Sequence, residues 1–286
     1  MYLSDFDFEL PKKLIATRPT SPRGNAKLLV SSSGRLHDSR VGNICNFLRP
    51  GDRLVLNNTK VIPARLDGVR FRQSAQGLVQ AKIEITLVKP LSNGNWEALI
   101  KPLRKVQVGE KIIFKKGLIA TCIEKLDGKG LLAFSVKGDE LDKVINNIGE
   151  MPLPPYIASR RPADAQDHID YQTVWAKHPG AVAAPTASLH LDEHVLSALS
   201  NHGVDITFVT LHVGAGTFLP VTVDDIRTHK MHAEWGYVGS KAAQEIKSTK
   251  SKGGRIIPVG TTALRLIETA SLTGTTKPFD GDTEIF

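Results

Sequence analysis

The chain has 286 residues and a mass of 31.2 kDa, and its 37 Lys/Arg against 29 Asp/Glu give a formal net charge of +8. At 41% hydrophobic and 23% charged it has globular composition, which excludes an intrinsically disordered protein. Two cysteines, Cys45 and Cys122, supply neither a disulfide framework nor an all-thiolate zinc site. No apolar run approaches the roughly 20 residues a membrane helix needs, and the acidic N-terminus lacks the basic-then-apolar layout of a secretory signal. The expectation is a soluble, cytoplasmic, monomeric protein with no membrane association.

Leu10–Ala16 reads as a short opening helix with Pro11 in its first turn. A basic loop, Arg18–Asn25, follows, because two prolines and a glycine deny it regular structure. Lys27–Val30 reads as a strand, Val41–Leu48 as a helix ended by Pro50-Gly51, and Asp52–Asn57 as a second strand. From 64 to 148 short β-rich runs (Lys82–Val88, Trp96–Ile100, Lys111–Phe114, Ile119–Ile123, Leu131–Val136) alternate with glycine turns. That spacing predicts a small antiparallel barrel, with Asn93-Gly94 and Asp127-Gly128 as hairpin turns. The proline-rich Gly149–Ile157 reads as a stiff extended connector that cannot be helix or central strand. Beyond it the pattern is mixed: helices over Val195–Asn201, Lys241–Lys252 and Ala263–Ala270, and strands over Ile206–His212 and Arg255–Val259. The fold expected is an α/β core, residues 1–63 and 149–286, interrupted by an inserted all-β domain at 64–148.

The charge is segregated. Residues 1–150 hold 25 Lys/Arg and 15 Asp/Glu, whereas 151–286 hold 12 and 14. A net of +10 in one half points to a polyanionic partner, and a nucleic acid fits it. The local groups are Arg70 with Arg72, Lys101 with Arg104 and Lys105, and Lys115 with Lys116. The bland alternative is solubility.

Eight of the nine histidines lie between 168 and 232, in the half without the positive excess. Clustered imidazoles are candidates for proton transfer near neutral pH. His190-Leu191-Asp192-Glu193-His194 fits an inverted zinc-protease pattern, in which i and i+4 imidazoles on one helical face reach a metal. Asp192 is however a credible N-cap, and a helix starting there leaves His190 outside it. His212–Phe218 follows a strand but lacks the third glycine of a dinucleotide fingerprint, the position falling at Leu219. Val259-Gly260-Thr261-Thr262 delivers the chain from strand to helix, where free N–H groups can hold a carboxylate or phosphate. No phosphate-loop motif is present, which argues against NTP hydrolysis.

Taken in order, several long segments resemble the S-adenosylmethionine:tRNA ribosyltransferase-isomerase family of queuosine biosynthesis. They are Asp5–Pro11 with Ile15-Ala16 and Arg18-Pro19, then Arg49–Asp52 leading into Asn57–Arg65, Met151–Ile157, and Tyr171–Val174. Val182–Ala187 with Leu189-His190, Val209–Phe218, His229–Glu234, and Val259–Thr262 with Arg265 and Glu268 complete the match. The resemblance implies transfer and isomerisation of the ribosyl part of S-adenosylmethionine onto 7-aminomethyl-7-deazaguanine in the tRNA wobble position. Epoxyqueuosine forms, and adenine and methionine leave. It implies no metal or redox cofactor, S-adenosylmethionine being consumed as co-substrate. It nominates His190, His212 and His232 as acid–base residues. Thr261, Thr262 and Arg265 would hold the methionine carboxylate, with Thr186, Gly214, Gly216, Thr217, Gly260 and Glu268 completing the substrate site. Arg18, Arg23, Lys60, Arg65, Lys101, Arg104 and Lys105 are the candidate tRNA contacts.

Ser188 and Leu191 depart from the Gly and Phe usual in the family, and His194 is not a family residue. Family members also continue past the final Glu284-Ile285-Phe286, through an Asn-Phe-His-Leu-Pro segment and closing strands. A non-catalytic RNA-binding remnant is therefore the alternative, and a zinc hydrolase through His190, Glu193 and His194 a distant one.

Overall fold

The computed structural model describes residues 1–126, 128–218 and 221–285, without the side chains of Ala215 and Phe218. The expected hairpin residue Asp127 and the fingerprint position Leu219 thus lie outside the described residues. In chain order the early strands are β1 (Lys27–Ser32), β2 (Arg35–Arg40), β3 (Arg53–Asn57) and β4 (Thr59–Val61). Next come β5 (Arg65–Ser74), β6 (Gly77–Pro90), β7 (Trp96–Lys101), β8 (Lys111–Phe114), β9 (Ile119–Leu126) and β10 (Lys129–Phe134). Helices α1 (Gly138–Ile148), α2 (Pro155–Ala158) and α3 (Asp167–Asp170) follow, then β11 (His178–Ala181), α4 (Glu193–Asn201) and β12 (Asp205–Leu211). The chain continues through β13 (Glu234–Val238), α5 (Ser240–Ser251), β14 (Ile256–Pro258), α6 (Thr261–Thr269) and β15 (Phe279–Thr283).

Two compact units result: Met1–Lys60 with Ile169–Val213 and Leu219–Phe286, and Val61–His168 with Gly214–Phe218. The expected second boundary was 148/149. The connector instead belongs with the barrel unit, because Arg65 and Glu150 exchange backbone hydrogen bonds (2.8 and 3.2 Å) and Met151, Leu153 and Ile157 are buried.

In that unit β5–β10 close an antiparallel barrel in the order β10-β7-β6-β5-β8-β9, as the glycine-spaced strands predict. Alternate residues point inward: Ala81, Ile83, Ile85 and Leu87 of β6 are buried, as are Leu132 and Phe134 of β10. Gly68 makes room for this filling, since a Cβ there would stand 2.7 Å from Ile112 and 2.8 Å from Phe114. Helix α1 was not anticipated; its Leu141 and Ile145 sit at i and i+4 on one buried face. The connector also contains a helical turn, α2, contrary to expectation. Pro155 occupies its first turn, where the missing N–H costs nothing.

The other unit is built on a five-stranded sheet of order β14-β3-β12-β13-β15. β14, β3 and β12 run parallel, and β13 is antiparallel to both β12 and β15. Strand β3 is buried along Leu54–Asn57, as a central parallel strand should be. Leu54 and Leu56 join Val195 and Leu199 of α4 in one apolar cluster with Ala26, Val41, Leu191 and Val204. The expected helices at 10–16 and 41–48 are instead 3₁₀ turns, Lys12–Leu14 and Val41–Phe47. Gly42, Asn43 and Asn46 are poor α-helix formers and account for the second. Asp192 is the N-cap of α4, its Oδ1 accepting from the Val195 N–H at 3.0 Å. No helix among the described residues is long and apolar enough to cross a membrane.

Candidate active site

The site begins at Asn57-Asn58-Thr59, three polar residues where the carboxyl end of β3 passes into β4. Each grips the end of the neighbouring strand β12. Asn57, fully buried, brackets the Leu211 peptide: its Nδ2–H donates to Leu211 O (2.9 Å) and its Oδ1 accepts from Leu211 N–H (3.1 Å). The Thr210 hydroxyl donates to Asn58 Oδ1 (2.7 Å), and the Asn58 N–H donates to Val209 O (2.9 Å). The Thr59 hydroxyl, also fully buried, lies 2.8 Å from His212 Nδ1.

His212 stands just past β12, where parallel strands deliver side chains to the ligand-binding edge of an α/β sheet. Its ring stacks on Trp235 of β13, with centroids 5.1 Å apart and planes at 26°, and its N–H donates to Trp235 O (3.0 Å). Gly180 of β11 approaches the ring closely, since a Cβ there would lie 2.8 Å from Nε2. Its φ of +147° also favours glycine. Desolvation, and then the neighbouring His178, hold the His212 pKa below the ordinary 6.5. The ring is therefore neutral at pH 7 and able to accept a proton.

His212 lines a cavity of about 750 Å³ together with Asn58, His178, Trp235, Tyr237 and Asp280. Trp235 and Tyr237, two apart on β13, stack at 6.4 Å with planes 7° apart, and Trp235 Nε1–H donates to Asp280 Oδ1 (3.0 Å). Lys241 and Glu245 of α5 complete the polar wall.

A second constellation surrounds the start of α6. Gly260 is its N-cap, at φ +87°, and a Cβ on it would lie 3.2 Å from the Ala187 Cβ. The 3₁₀ turn Thr186–His190 therefore packs against this helix N-terminus. Thr262 Oγ1 and Ser188 Oγ are buried there with no hydrogen-bond partner among the described residues. Thr261 and Thr186 are exposed.

The remaining candidates fall elsewhere. His190 ends the 3₁₀ turn and does not line the cavity; desolvation, and then Arg23, lower its pKa. His232 is exposed and also outside the cavity lining. Gly214, Gly216 and Thr217 belong to the barrel unit, the last two in the 3₁₀ turn Ala215–Phe218 against β6. Glu268 is exposed. Arg265 is committed to the fold: Nη1 pairs with Glu234 (2.7 Å), Nη2 donates to His232 O and Thr283 O, and Nε to Ile285 O.

Arg23 is similarly engaged, donating to the carbonyls of Ile169, Gln172 and Leu189. Arg18 lies 3.5 Å from Asp170, and Arg65 pairs with Glu84 at 2.7 Å. Lys60, Lys101, Arg104 and Lys105 are exposed, the last three on one segment of the barrel unit. Arg70 and Arg72, counted in the basic excess, are not available. Arg70 is buried and donates to Lys105 O, and Arg72 forms a bidentate pair with Glu110.

The zinc reading fails on geometry. Helix α4 begins at Glu193, so His190 and His194 do not share a helical face. No group of three His, Cys, Asp or Glu is placed to hold a metal ion among the described residues. What the sequence reading passed over is the side-chain role of Asn57, Asn58 and Thr59, together with His178 and Trp235. The Trp235/Tyr237 alternation is the one local signal that marks a shared face.

An oriented imidazole just past the carboxyl end of β12, on an aromatic-walled cavity that runs along that strand, is an arrangement suited to an enzyme site. The family model for the queuosine biosynthesis protein matches residues 3–286, and the chain belongs to that family. It is similar to the S-adenosylmethionine:tRNA ribosyltransferase-isomerase of Jannaschia sp. (strain CCS1), 62% identical over 286 residues, covering 100% of this chain and 80% of that protein. The protein of the same name from Ruegeria pomeroyi is 61% identical, covering 100% of this chain and 82% of its own length. A solved S-adenosylmethionine tRNA ribosyltransferase from Thermotoga maritima is 29% identical, with 99% of this chain and 78% of that one covered and a TM-score of 0.47.

Proposed function

We propose that the chain transfers and isomerises the ribosyl part of S-adenosylmethionine onto 7-aminomethyl-7-deazaguanine in tRNA, releasing adenine and methionine. The reading rests on the family, and the observation that carries it to this chain is His212: desolvated, fixed at Nδ1 and set at the cavity wall. The sulfonium of the substrate acidifies its adjacent 5′ C–H, and neutral His212 removes that proton. Departing adenine then needs a proton donor, for which His190 and His232 are the remaining candidates. The methionine carboxylate is assigned to the first N–H groups of α6 with Thr261, Thr262 and Thr186. The unpartnered Thr262 hydroxyl supports that assignment. Arg265 holds this region from behind rather than touching substrate. S-adenosylmethionine is consumed, and no further cofactor enters the scheme.

The tRNA is read through the exposed cations Lys60, Lys101, Arg104 and Lys105 and the loop around Arg18, which attract phosphate without reading sequence. The test is adenine release from S-adenosylmethionine in the presence of tRNA carrying the deazaguanine precursor. His212→Gln should abolish it while tRNA binding persists, and unchanged release would remove His212 from the mechanism. No release by the unaltered chain, with salt-sensitive tRNA binding retained, would favour a protein that only binds RNA.

A further inference from the structure

We propose that Thr59 is a positioning residue that sets the tautomer of His212, so that Nε2, the ring nitrogen not held by Thr59, is the atom that takes the proton. The inference rests on His212 being the base and adds which nitrogen acts and what makes it act. The Thr59 hydroxyl has one proton and two neighbours: His212 Nδ1 at 2.8 Å and the carbonyl oxygen of His178 at 3.4 Å. A carbonyl oxygen can only accept. When the hydroxyl donates to His178 O, its lone pair faces Nδ1, which must then carry hydrogen. Both contacts are hydrogen bonds in that arrangement alone. In the reverse arrangement the hydroxyl donates to Nδ1, the His178 contact is lost, and Nε2–H has no lone pair for a substrate proton.

The geometry holds this choice rigidly. Thr59 is fully buried, and its own N–H donates to Asn57 Oδ1 at 3.1 Å. Asn57 and Asn58 lock the strand end that carries His212. Trp235 stacks on the ring, and Gly180 lies against it so closely that a Cβ there would meet Nε2, Cδ2 and Cε1 at 2.8 to 2.9 Å, which fixes the ring plane. When Nε2 accepts a proton, Nδ1–H stays on Thr59, so the imidazolium keeps a partner on its inner side. The titratable and charged groups around the ring are His178 from β11, Asp280 from β15 behind Trp235, and Lys241 with Glu245 from α5. Glu245 is occupied, accepting from the Thr207 hydroxyl at 2.5 Å and lying 3.8 Å from Lys241.

Long-range proton–nitrogen correlation spectra of protein with ¹⁵N-labelled histidine read the tautomer without turnover. The expectation above the ring's pKa is Nδ1 protonated and Nε2 bare. Thr59→Val, nearly isosteric but without the hydroxyl, should lose that preference, and Thr59→Ser should keep it. In turnover, Thr59→Val should lower kcat by about tenfold or more with KM for both substrates unchanged. Its acidic limb should move to lower pH, because the imidazolium has lost an acceptor; Thr59→Ser should restore both. An Nε2–H tautomer in the unaltered protein, or a tautomer that Thr59→Val leaves unchanged, overturns the proposal. A tautomer that shifts while kcat and its pH profile stay fixed overturns instead the reading of His212 as base, and the role of Thr59 with it.

Discussion

Asp52, in the Arg49-Pro50-Gly51-Asp52 turn ahead of β3, offers the sharpest stability test. The residue is 2% exposed, and its carboxylate accepts from the Arg49 N–H (2.8 Å), the Arg255 N–H (3.1 Å) and the Arg255 guanidinium, joining the starts of β3 and β14. Asp52→Ala leaves two backbone donors without partners, each costing about 1 to 3 kcal/mol. The guanidinium adds less, because the Arg255 side chain is 45% exposed and turns to water. The expected loss is about 3 to 4 kcal/mol, a fall of roughly 6 to 16 °C in melting temperature for a chain of this size.

The loss should depend on pH in a set direction. The Arg255 hydrogen bond, chiefly, holds the Asp52 pKa far below the ordinary carboxylate value. Its contribution is therefore complete above the unfolded value near ~3.9 and falls away as pH drops below it toward the folded pKa. The gap between unaltered and variant protein, measured by denaturant titration, should be constant from about pH 8 to 5 and narrow below 4. A loss under about 1 kcal/mol, or a gap that widens in acid, would refute the reasoning.

Other expectations are quickly stated. Gly180→Ala places a Cβ 2.8 to 2.9 Å from Nε2, Cδ2 and Cε1 of His212, displaces the ring and should abolish adenine release; turnover at the original rate would show that the seat of the ring does not matter to the reaction. The pH profile of kcat should rise through the depressed pKa of His212, its acidic limb lying below pH 6.5. Arg265→Lys cannot reproduce the fork that holds Glu234, His232, Thr283 and Ile285, and should cost about 2 to 3 kcal/mol in thermal unfolding without changing KM for S-adenosylmethionine. A raised KM with intact stability would return Arg265 to the substrate. Changing Lys101, Arg104 and Lys105 together to Ala should weaken tRNA binding and reduce the slope of log K against log salt by about 2 to 3, with stability shifted by less than ~0.5 kcal/mol.

The barrel was legible because period-2 alternation and glycine turns are local signals, and so were β3, β12, α4 and α6. Strand β15 was not: its Asp280-Gly281-Asp282 reads as a turn, and only pairing with β13 makes it a strand. Helix α1 was hidden because its four apolar residues follow a long β-rich texture. Charge was the least faithful guide. Arg23, Arg70 and Arg72 counted toward a polyanion surface, yet each is engaged by carbonyls or carboxylates distant in sequence. Of the candidate site, His212 was named only alongside His190 and His232, because nothing local distinguishes the three; its contact with Thr59 spans 153 positions and is brought about by the β3–β12 pairing.

The central claim is tested most directly by following S-adenosylmethionine labelled in its ribosyl carbons. With precursor-bearing tRNA, the label should enter the tRNA while adenine and methionine appear in equal amounts, and His212→Gln should stop all three together. Tight tRNA binding with no label transferred, or adenine released without label in the tRNA, would contradict the account.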